Sequence, residues 1–582
     1  MTEWNLTDLT GDRSVDELIE ELSAAVAAFV SCRDELKPDL SAERFLELIR
    51  EYEAIEELSS VITGFLGLKV SEDMHDEQML ALRSKWGQTA TTLGNELIFF
   101  THWFTFLDDR DAERFLSSEV LSDYRYFLER LRTFRPFTLS EEQERIVSLK
   151  SAGASPGSFY SVLRSGMEFT YDGKDLTEEE LKSRIHDHDP LVRERAYRSL
   201  FEPFVKNRTL LVEFYKGVVL NWHNEEIAIR GFPDAINVRN LSNDVSDESV
   251  RALVRAVEKN EHRMQRYYAL KRRMNGDSYP HSRFHLYAPY AHQPNRDYSY
   301  EEARDLVLEV FADFDPRFAS LAREVFDASH VHALPKKRKR TGAFSYSVTT
   351  KTEPYVMLNH AGKLQDVFTM AHEFGHAVHG QLERSNPELI SHAGLPLSET
   401  ASLFAELLLT ERFLDDSSSD DERIAVLIEN LDGFYASVIR QIGFLRFELF
   451  AHEQVPSGAS LSELDEEYDR ILASQFGDLE IPEVFSSEWS MIPHIHSRPF
   501  YVYSYAWGNL LVLSLFEMYR KDREGFVERY FELLRAGGTR PPMELLSSFG
   551  VDVESEEFWT RGFDLIDEQI DTLERLTARR DS

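Results

Sequence analysis

Apolar residues recur with helical spacing along most of this chain, and charged residues occupy the opposite faces. Apolar positions three and four residues apart are typical of amphipathic helices packed on a core. The clearest predicted helices cover residues 14–31, 41–66, 74–106, 112–134, 247–273 and 299–326. Ser140 with Gln143, and Thr177 with Glu180, have capping-box spacing and predict two further helix starts. The sequence therefore predicts a mostly α protein.

Strand-like patterning is confined mainly to one short stretch of the chain. Residues 345–349 alternate between polar and apolar types, and residues 354–358 are rich in β-prone types. Residues 351–353 lie between them, which predicts a hairpin or a sheet edge. An edge strand can pair with an extended peptide through main-chain hydrogen bonds, and a small structural sheet is the alternative. Polar loops are expected at 151–157 and 415–421.

Residues 369–376 read T-M-A-H-E-F-G-H and contain H-E-x-x-H inside a run with helical periodicity. His372 and His376 are four residues apart, so on a helix they lie one turn apart and can bind the same metal ion. Glu373 is rotated by about 100° from His372, which places its carboxylate beside such a metal rather than on it. This is the layout of a zinc hydrolase that cleaves amide bonds. Two ordinary histidines on a solvated helix are the alternative.

Glu399 is the candidate for a third metal ligand. Catalytic zinc sites commonly use two histidines and one glutamate, and they leave the fourth position to water. Glu399 stands near the start of a second predicted helix, off its apolar stripe, and breaks at 385–387 and 393–396 place a loop before it. A first-turn glutamate that favours the helix dipole is the alternative.

A second segment, residues 492–508, is dense in histidine and tyrosine. A phenol or an imidazole held near a scissile bond can donate a hydrogen bond to the oxyanion that develops there. Tyr501 and Tyr505 are one turn apart and can share a helix face, whereas Tyr503 pairs with Trp507. Aromatic core packing on a buried helix is the alternative for these tyrosines.

The net charge of the chain bears on its partners and on the salt concentration of its surroundings. A net charge of −37 argues against nucleic acid and anionic membranes as partners. Lysine is scarce, with 16 of the 65 basic residues, and a heavily acidic, lysine-poor surface suggests a halophilic protein from a salt-rich cytoplasm. An acidic mesophilic enzyme is the alternative. The one basic run, 336–340, is typical of a solvated loop, and a positive patch for a peptide's terminal carboxylate or a nuclear-targeting segment is the alternative.

The cysteine count and the N-terminus bear on location. Cys32 is the only cysteine, so no intrachain disulfide can form, which suits a reducing compartment. The N-terminus shows no secretory signal, and no apolar run approaches the length needed to cross a bilayer. We therefore expect a soluble cytoplasmic protein.

Three segments together resemble the oligoendopeptidase F family, relatives of thimet oligopeptidase. They are 369–379 (T-M-A-H-E-F-G-H-A-V-H), 398–406 (S-E-T-A-S-L-F-A-E) and 492–508 (I-P-H … F-Y-V-Y-S-Y-A-W-G). The zinc motif alone is shared by many metallopeptidases, whereas the order and spacing of all three are specific. The resemblance implies a mostly α, two-lobed peptidase fold enclosing a deep central channel, with a small β-sheet next to the zinc helix. It also implies an N-terminal helical region, 1–200, and a catalytic domain, 201–582.

The resemblance implies roles for the motif residues by position. His372, His376 and Glu399 are expected to bind one zinc ion per chain, and Glu373 is expected to act as the general base. Glu406, two turns beyond Glu399, is expected to orient a ligand histidine.

Other roles fall on the neighbours of these residues. The resemblance implies that Tyr505 and His494 are oxyanion or substrate-binding groups. His496 stands where the family often has an aromatic residue, so either His494 or His496 can face the substrate. Further substrate-binding candidates are Tyr501, Tyr503 and Arg498. His379 is expected to be a hydrogen-bonded neighbour of the ligands rather than a ligand.

The predicted function is a zinc-dependent endopeptidase that hydrolyses internal bonds of short oligopeptides, with water activated by zinc and Glu373. Short peptides are the expected partners, and the sequence does not indicate an oligomeric state. A zinc carboxypeptidase or dipeptidyl carboxypeptidase on a similar helical channel fold is the nearest rival. A non-catalytic peptide-binding protein with structural zinc is a rival from another class, but such zinc sites commonly use several cysteines, and this chain has one.

Overall fold

The computed structural model describes residues 3–11, 13–153, 156–276, 281–292, 296–417 and 419–581. The chain divides into two compact units, each assembled from three segments. Unit 1 contains Met1–Ala154, Arg296–Leu409 and Asp522–Phe549, and unit 2 contains Ser155–Asn295, Thr410–Lys521 and Gly550–Ser582. The predicted sequence domains, 1–200 and 201–582, are a different division of the chain and stay a prediction.

Helices dominate both units, which confirms the predicted mostly α fold. The α-helices are α1 (Thr7–Thr10), α2 (Val15–Val30), α3 (Ala42–Glu72), α4 (Glu77–Phe106), α5 (Asp109–Leu116), α6 (Arg125–Thr133), α7 (Glu141–Gly153), α8 (Pro156–Ser165), α9 (Glu178–Arg184), α10 (Pro190–Lys206), α11 (Arg208–Trp222), α12 (Asn237–Asn243), α13 (Asp247–Asn260), α14 (Arg263–Met274), α15 (Tyr300–Phe314), α16 (Pro316–Asp327), α17 (Leu364–Glu383), α18 (Leu395–Ser398), α19 (Thr400–Asp416), α20 (Asp420–Phe434), α21 (Arg440–Gln454), α22 (Leu461–Phe476), α23 (Pro493–Ser497), α24 (Tyr503–Lys521), α25 (Arg523–Ala536), α26 (Pro542–Ser548) and α27 (Glu556–Asp581).

Shorter helical pieces connect several of these helices. The 3₁₀-helices are Ser31–Glu35, Glu119–Tyr124, Arg135–Phe137, Arg283–His285, Glu388–Ile390, Val455–Ser457 and Glu483–Met491. Two π-helical pieces, His223–Ile229 and Tyr435–Ile439, continue α11 and precede α21.

Both predicted capping boxes are present. Thr177 accepts a hydrogen bond from the N–H of Glu180, and the Glu180 carboxylate accepts one from the N–H of Thr177. Ser140 and Gln143 exchange hydrogen bonds in the same way. These reciprocal bonds satisfy main-chain donors that a helix start otherwise leaves unpaired, so the helices begin where the sequence places the motif.

Some sequence predictions miss helix breaks or helix extensions. The predicted helix 299–326 breaks at Pro316, because proline has no N–H and is favoured at the first position of a new helix. The predicted helices 112–134 and 247–273 are also interrupted. The loop predicted at 151–157 is largely helical, since α7 extends to Gly153 and α8 begins at Pro156. Ala154 and Ser155, within that predicted loop, and Ser418, within the loop predicted at 415–421, lie outside the described residues.

Short strands form two small sheets. Strands β1 (Phe169–Tyr171) and β2 (Lys174–Leu176) make an antiparallel hairpin in unit 2. In unit 1, β3 (Val331–His332), β4 (Phe344–Tyr346) and β5 (Tyr355–Met357) form a sheet in the order β3-β5-β4. β4 pairs antiparallel with β5, and β3 pairs parallel with it. The predicted strand pair is therefore present, and β4 is an edge strand beside α17.

Each unit has its own aromatic core. In unit 1 the core joins the N-terminal helices to β5, and the rings of Phe45 and Phe104 stack at 5.6 Å between centroids. In unit 2 the fully buried rings of Trp507 and Trp559 join α24 to α27 at 4.8 Å. No helix in the described part of the chain combines the length and the apolar character needed to cross a lipid bilayer.

The basic run 336–340 is tied into unit 1. Lys339 is buried, and its ammonium donates hydrogen bonds to the carbonyl oxygens of His332 and Leu334 at 3.0 and 2.9 Å. Lys336 pairs with Glu3 at 3.1 Å. The other four residues of the run are exposed in a loop, as the solvated-loop interpretation predicts. Lys339 in addition holds strand ends, and Lys336 holds the N-terminal segment, which the sequence did not predict.

Candidate active site

Helix α17 carries the H-E-x-x-H segment and is oriented by its apolar face. Val367, Met370 and Phe374 are buried, and the Phe374 ring stacks on Phe326 of α16 at 3.9 Å between centroids. This packing leaves the opposite face of the helix to the two histidines. The rings of His372 and His376 lie 4.9 Å apart, and their side chains keep 25% and 23% of their accessible surface. Both imidazoles can therefore reach a ligand from outside the core.

Glu399 lies between α18 and α19 and meets both histidines. Its Oε2 is 3.3 Å from Nε2 of His376 and 3.6 Å from Nε2 of His372. The hydroxyl of Ser402, one turn along α19, donates a hydrogen bond to the same Oε2 at 2.7 Å. The carboxylate is thus aimed at the histidines and held there, and a first-turn helix-dipole role does not describe its contacts.

Glu406 contacts the far side of the His372 ring. Its Oε1 lies 2.5 Å from Nδ1 of His372. A carboxylate only accepts hydrogen bonds, so Nδ1 carries a proton, and Nε2 is the nitrogen that faces Glu399 and would bind a metal. The contact therefore fixes the ring and the tautomer that a metal ligand needs.

The three carboxylates around the histidines favour positive charge at this point. Burial raises the pKa of Glu399, but the charges of His376 and His372 outweigh burial and hold that pKa at about 2. Burial lowers the pKa of His372, but the Glu406 hydrogen bond and the charges of Glu406, Glu399 and Glu373 outweigh it and raise that pKa to about 10. The same field that holds a proton here favours a metal cation.

Glu373 lies next to the ligand pair with a shielded carboxyl group. The residue is 7% exposed, and burial raises its pKa although His372 and His376 oppose the shift. A carboxyl group whose pKa is moved towards neutrality takes up and releases a proton readily, which general acid–base catalysis requires.

Glu383, at the C-terminal end of α17, contacts the loop that precedes Glu399. Its carboxylate accepts a hydrogen bond from the N–H of Ala393 at 2.7 Å and lies 3.2 Å from Nδ1 of His392. Nε2 of His379, one turn earlier, is 3.4 Å from the same carboxylate. Sequence reasoning missed Glu383, although its four-residue spacing from His379 was a usable signal. Ser402 was missed as well, and its three-residue spacing from Glu399 was the equivalent signal.

A cleft of about 270 Å³ opens beside His376 in unit 1. Its walls include Ser345 from the edge strand β4, Ser347 just after that strand, Gly380 from α17, and His392. The absence of a side chain on Gly380 lets Ser347 pack closely against α17. A Cβ on residue 380 would come within 2.1 Å of the Ser347 hydroxyl. The candidate metal ligand thus borders a space that a peptide can enter.

The main chain of Ser345 faces the open side of the sheet. Ser345 is opposite Val356 in the antiparallel register, and the N–H of Val356 donates to the carbonyl of His330 on the β3 side at 2.8 Å. Because paired residues in an antiparallel ladder alternate in direction, the N–H and C=O of Ser345 point away from β5. These groups can pair with an extended peptide.

The histidine and tyrosine set of residues 492–508 belongs to unit 2, whereas the candidate metal ligands belong to unit 1. His494, Tyr501 and Tyr505 are partly exposed and contact one another. The rings of His494 and Tyr501 stack at 5.3 Å, and the Tyr505 hydroxyl is 3.3 Å from Nε2 of His494. The guanidinium of Arg498 lies 5.6 Å from the centre of the Tyr501 ring.

Two other members of the predicted set are buried. His496 is fully buried, its ring stacks on Tyr160 at 4.2 Å, and its Nε2 lies 3.0 Å from the carbonyl oxygen of Ser490. Tyr503 is fully buried, and its hydroxyl accepts a hydrogen bond from Asn243 at 2.8 Å. Burial leaves no space for a peptide against either side chain, which argues against the substrate-binding role predicted for both.

The converging residues fit a divalent transition metal. The ligand atoms of His372, His376 and Glu399 all lie within 4.8 Å of one another. Two imidazole nitrogens and one carboxylate oxygen are the donor set of zinc hydrolases, and Glu406 leaves the correct nitrogen of His372 free. Within the described ranges, no other trio of histidine, cysteine or acidic side chains converges in this way.

Comparisons with known proteins agree with this chemistry. The family model described as Peptidase family M3 matches residues 184–565, and the Oligopeptidase F model matches residues 103–169. Oligopeptidase PepF of Bacillus subtilis (strain 168) is 26% identical over 99% of this chain and 87% of its own length. The oligoendopeptidase F homolog of Lactococcus lactis subsp. lactis (strain IL1403) is 26% identical over 100% of this chain and 98% of its own length.

A solved structure from the same group of proteins shares this fold. The crystal structure of oligoendopeptidase-F from Enterococcus faecium superposes with a TM-score of 0.75 at 21% identity, over 97% of this chain and 100% of that one. The family model covers well over half of the sequence. The chain therefore belongs to peptidase family M3 and is a metallopeptidase.

Proposed function

We propose that this metallopeptidase is a zinc-dependent endopeptidase that hydrolyses internal peptide bonds of short oligopeptides. The observation that carries the proposal is the convergence of His372, His376 and Glu399, whose ligand atoms lie within 4.8 Å of one another. These three residues would hold the zinc ion and leave its fourth position to water. Zinc bound there would lower the pKa of a water molecule and polarise a peptide carbonyl.

Glu373 serves as the general base in this proposal. Its carboxylate accepts a proton from the attacking water and later passes that proton to the departing amine. The shielded position of the side chain supports the assignment, because burial raises its pKa towards the range in which one group can do both. Glu406 keeps His372 in the ligand tautomer through the contact at Nδ1.

Tyr505 and His494 are assigned to the oxyanion. As the carbonyl carbon becomes tetrahedral, its oxygen gains negative charge, and a donor aimed at that oxygen is worth about 2.7–4 kcal/mol. The assignment rests on the likeness of 492–508 to the family and on the contact between the two side chains at 3.3 Å. Burial and the charge of Arg498 lower the pKa of His494, so its imidazole is neutral at neutral pH.

The edge strand β4 supports cleavage inside a peptide rather than at its end. A substrate paired with the outward N–H and C=O of Ser345 would be held by its main chain, which every peptide has. Such pairing needs neither a free amino terminus nor a free carboxylate. The names of the similar bacterial proteins, oligopeptidase and oligoendopeptidase, favour short peptides over folded proteins.

The location proposed for this activity is the cytoplasm. Cys32 is the only cysteine, and it is buried as a free thiol. A protein that needs no disulfide suits the reducing compartment in which short peptides are turned over.

Cleavage mapping tests the proposal. The protein is incubated with a library of peptides of graded length, each made with a free and with an amidated C-terminus, and products are identified by mass spectrometry. We expect internal cuts in both forms, loss of cutting with a chelator, and recovery with added zinc. Cutting that requires a free C-terminus would favour the carboxypeptidase alternative, and digestion of a folded protein would contradict the restriction to oligopeptides.

A further inference from the structure

A tight turn joins α23 to α24 and separates His494 from Tyr505. The N–H of Tyr501 donates to the carbonyl of Arg498 at 3.1 Å, so Pro499 and Phe500 are the central residues of a β-turn. Phe500 has φ of 58°, and the proline ring fixes φ of Pro499 near −65°. A negative φ followed by a positive one defines a type II turn, in which glycine or asparagine is usual at the second central position. Here that position holds a phenylalanine.

The peptide group at the centre of this turn is held at both ends. Type I and type II turns differ by a flip of that central peptide. The N–H of Phe500 donates to Oε1 of Glu448 at 2.8 Å, and Nε of Arg239 donates to the carbonyl oxygen of Pro499 at 3.1 Å. The two side chains come from α21 and α12, far apart in sequence. Together they fix the one peptide whose orientation decides the turn type.

A fully buried glutamate is an unusual hydrogen-bond acceptor for the main-chain N–H of Phe500, because burial of an acidic side chain is costly. Glu448 is fully buried, and its Oε2 has no hydrogen-bond partner within the described part of the chain. Burial raises the pKa of Glu448 to about 8, so the group is a neutral carboxylic acid at neutral pH. The ring of His452, one turn along α21, lies 4.5 Å from the ring of Phe500. The buried surroundings therefore hold both the main chain and the side chain of a residue in a disfavoured conformation.

The turn sets the geometry of the groups on either side of it. His494 precedes the turn, Tyr501 closes it, and Tyr505 follows in the first turns of α24. The His494 and Tyr501 rings are stacked with only 7° between their planes, and the Tyr505 and His494 side chains meet at 3.3 Å. Without these two hydrogen bonds the turn would be free to shift against α21 and α12, and the segments that carry the three rings would shift with it.

We infer that Glu448 and Arg239 are positioning residues, which anchor the Pro499–Phe500 peptide to α21 and α12 and thereby keep the Tyr505 hydroxyl in the contact with His494 that its proposed oxyanion role needs. The inference rests on the proposed oxyanion role of these two side chains. Neither Glu448 nor Arg239 touches substrate in this account, so their effect on catalysis passes entirely through the turn.

Steady-state kinetics of the zinc-loaded, full-length protein test the inference. The variants are E448L, which removes the acceptor, E448Q, which keeps an oxygen acceptor of the same shape, R239M, which releases the other end of the peptide, and Y505F. Melting temperature and zinc content are measured for each. We expect E448L and R239M to lower kcat about tenfold with KM within about twofold, a loss smaller than that from Y505F. E448Q should retain most of the activity.

The double variant E448L/Y505F gives the decisive comparison. If Glu448 acts through Tyr505, adding E448L to Y505F should lower kcat by less than about twofold. Losses that multiply in the double variant, or equal losses in E448Q and E448L, would overturn the inference and leave the oxyanion role standing. Full kcat in Y505F would instead overturn the oxyanion role, and the inference with it. Should E448L fail to fold, R239M and R239M/Y505F provide the same comparison.

Discussion

Gly375 of α17 and Ala401 of α19 bring these two helices into main-chain contact beside the candidate metal ligands. A Cβ on Gly375 would lie 2.5 Å from the carbonyl oxygen of Ala401 and 2.6 Å from Cα of Ser402. No side chain fits at such a separation, and the facing atoms belong to the backbone, which cannot turn away. The glycine between the two histidines of α17 therefore lets the start of α19 approach, and Glu399 stands two residues before Ala401.

G375A should impair zinc binding, whereas a glycine-to-alanine change at an uncrowded helix position should not. Because the added methyl group pushes α19 away, Glu399 retreats from His372 and His376, and we expect at least tenfold weaker zinc affinity, in the range of about 10–100-fold seen when ligand support is lost. Competition with a zinc chelator measures the affinity. G67A is the matched control, since its Cβ meets no atom within 4 Å and alanine should stabilise that helix by up to about 1 kcal/mol. Unchanged zinc affinity in G375A would contradict the role of this contact.

S345P tests whether the edge of the sheet binds substrate. Proline removes the N–H that points away from β5 and leaves the pairing of β4 with β5 intact, which edge strands tolerate. Loss of one main-chain hydrogen bond should raise KM roughly three- to tenfold with little change in kcat. S345A keeps the N–H and should behave like the unchanged protein. If S345P shows the same KM at an unchanged melting temperature, the peptide does not pair with this edge.

His496 should contribute to loss of stability in acid. Burial lowers its pKa from 6.5 to about 3 in the folded protein. Below pH 6.5 His496 binds a proton in the unfolded chain but stays neutral in the folded protein. The stability that this difference contributes is therefore present above pH 6.5 and is lost as the pH drops towards 3. Between pH 7 and pH 5 the loss from this group is about 2 kcal/mol in the free energy of unfolding. Urea unfolding of H496Q should show a pH dependence smaller by that amount, and an identical dependence would show that His496 is not buried as a neutral ring.

We propose that the acidic surface adapts the protein to high salt. The formal net charge is −37, and charges separated by more than about 8–10 Å repel one another less when salt screens them. We expect the melting temperature to rise steadily as potassium chloride increases from dilute buffer to about 1 M, where the screening length falls to about 3 Å. An equal concentration of sucrose controls for general solute effects. Full activity and unchanged melting in dilute buffer would refute the proposal.

The candidate metal site could be predicted from sequence because its information is local. Helical periodicity around 369–376 fixes which residues share a face, and four-residue spacing fixes the His372 and His376 pair. Glu399 was found through the chemistry that the pair still lacked. The strand pair β4 and β5 was likewise visible as alternation over a few residues, whereas β3 has two residues and offers no pattern.

The histidine and tyrosine set could not be resolved from sequence because its exposure depends on distant packing. His494 and His496 share a single helical turn, and burial of His496 is set by Tyr160, which lies more than three hundred residues earlier in the chain. The turn at Phe500 was equally hidden, since nothing in its own residue type predicts a positive φ. Contacts from Glu448 and Arg239 impose that conformation, and tertiary contacts of this kind leave no local periodicity.

The central claim is that His372, His376 and Glu399 hold a catalytic metal beside a glutamate that moves the proton. Its most direct measurement is the zinc content of purified E373Q, determined by mass spectrometry of the metal, together with its turnover of a short peptide. H372A serves as the matched variant that should lose the metal. We predict one zinc ion per E373Q chain and a kcat lowered by about 10²–10⁴-fold. A zinc-loaded E373Q that turns over peptide at a rate near that of the unchanged protein would contradict the account.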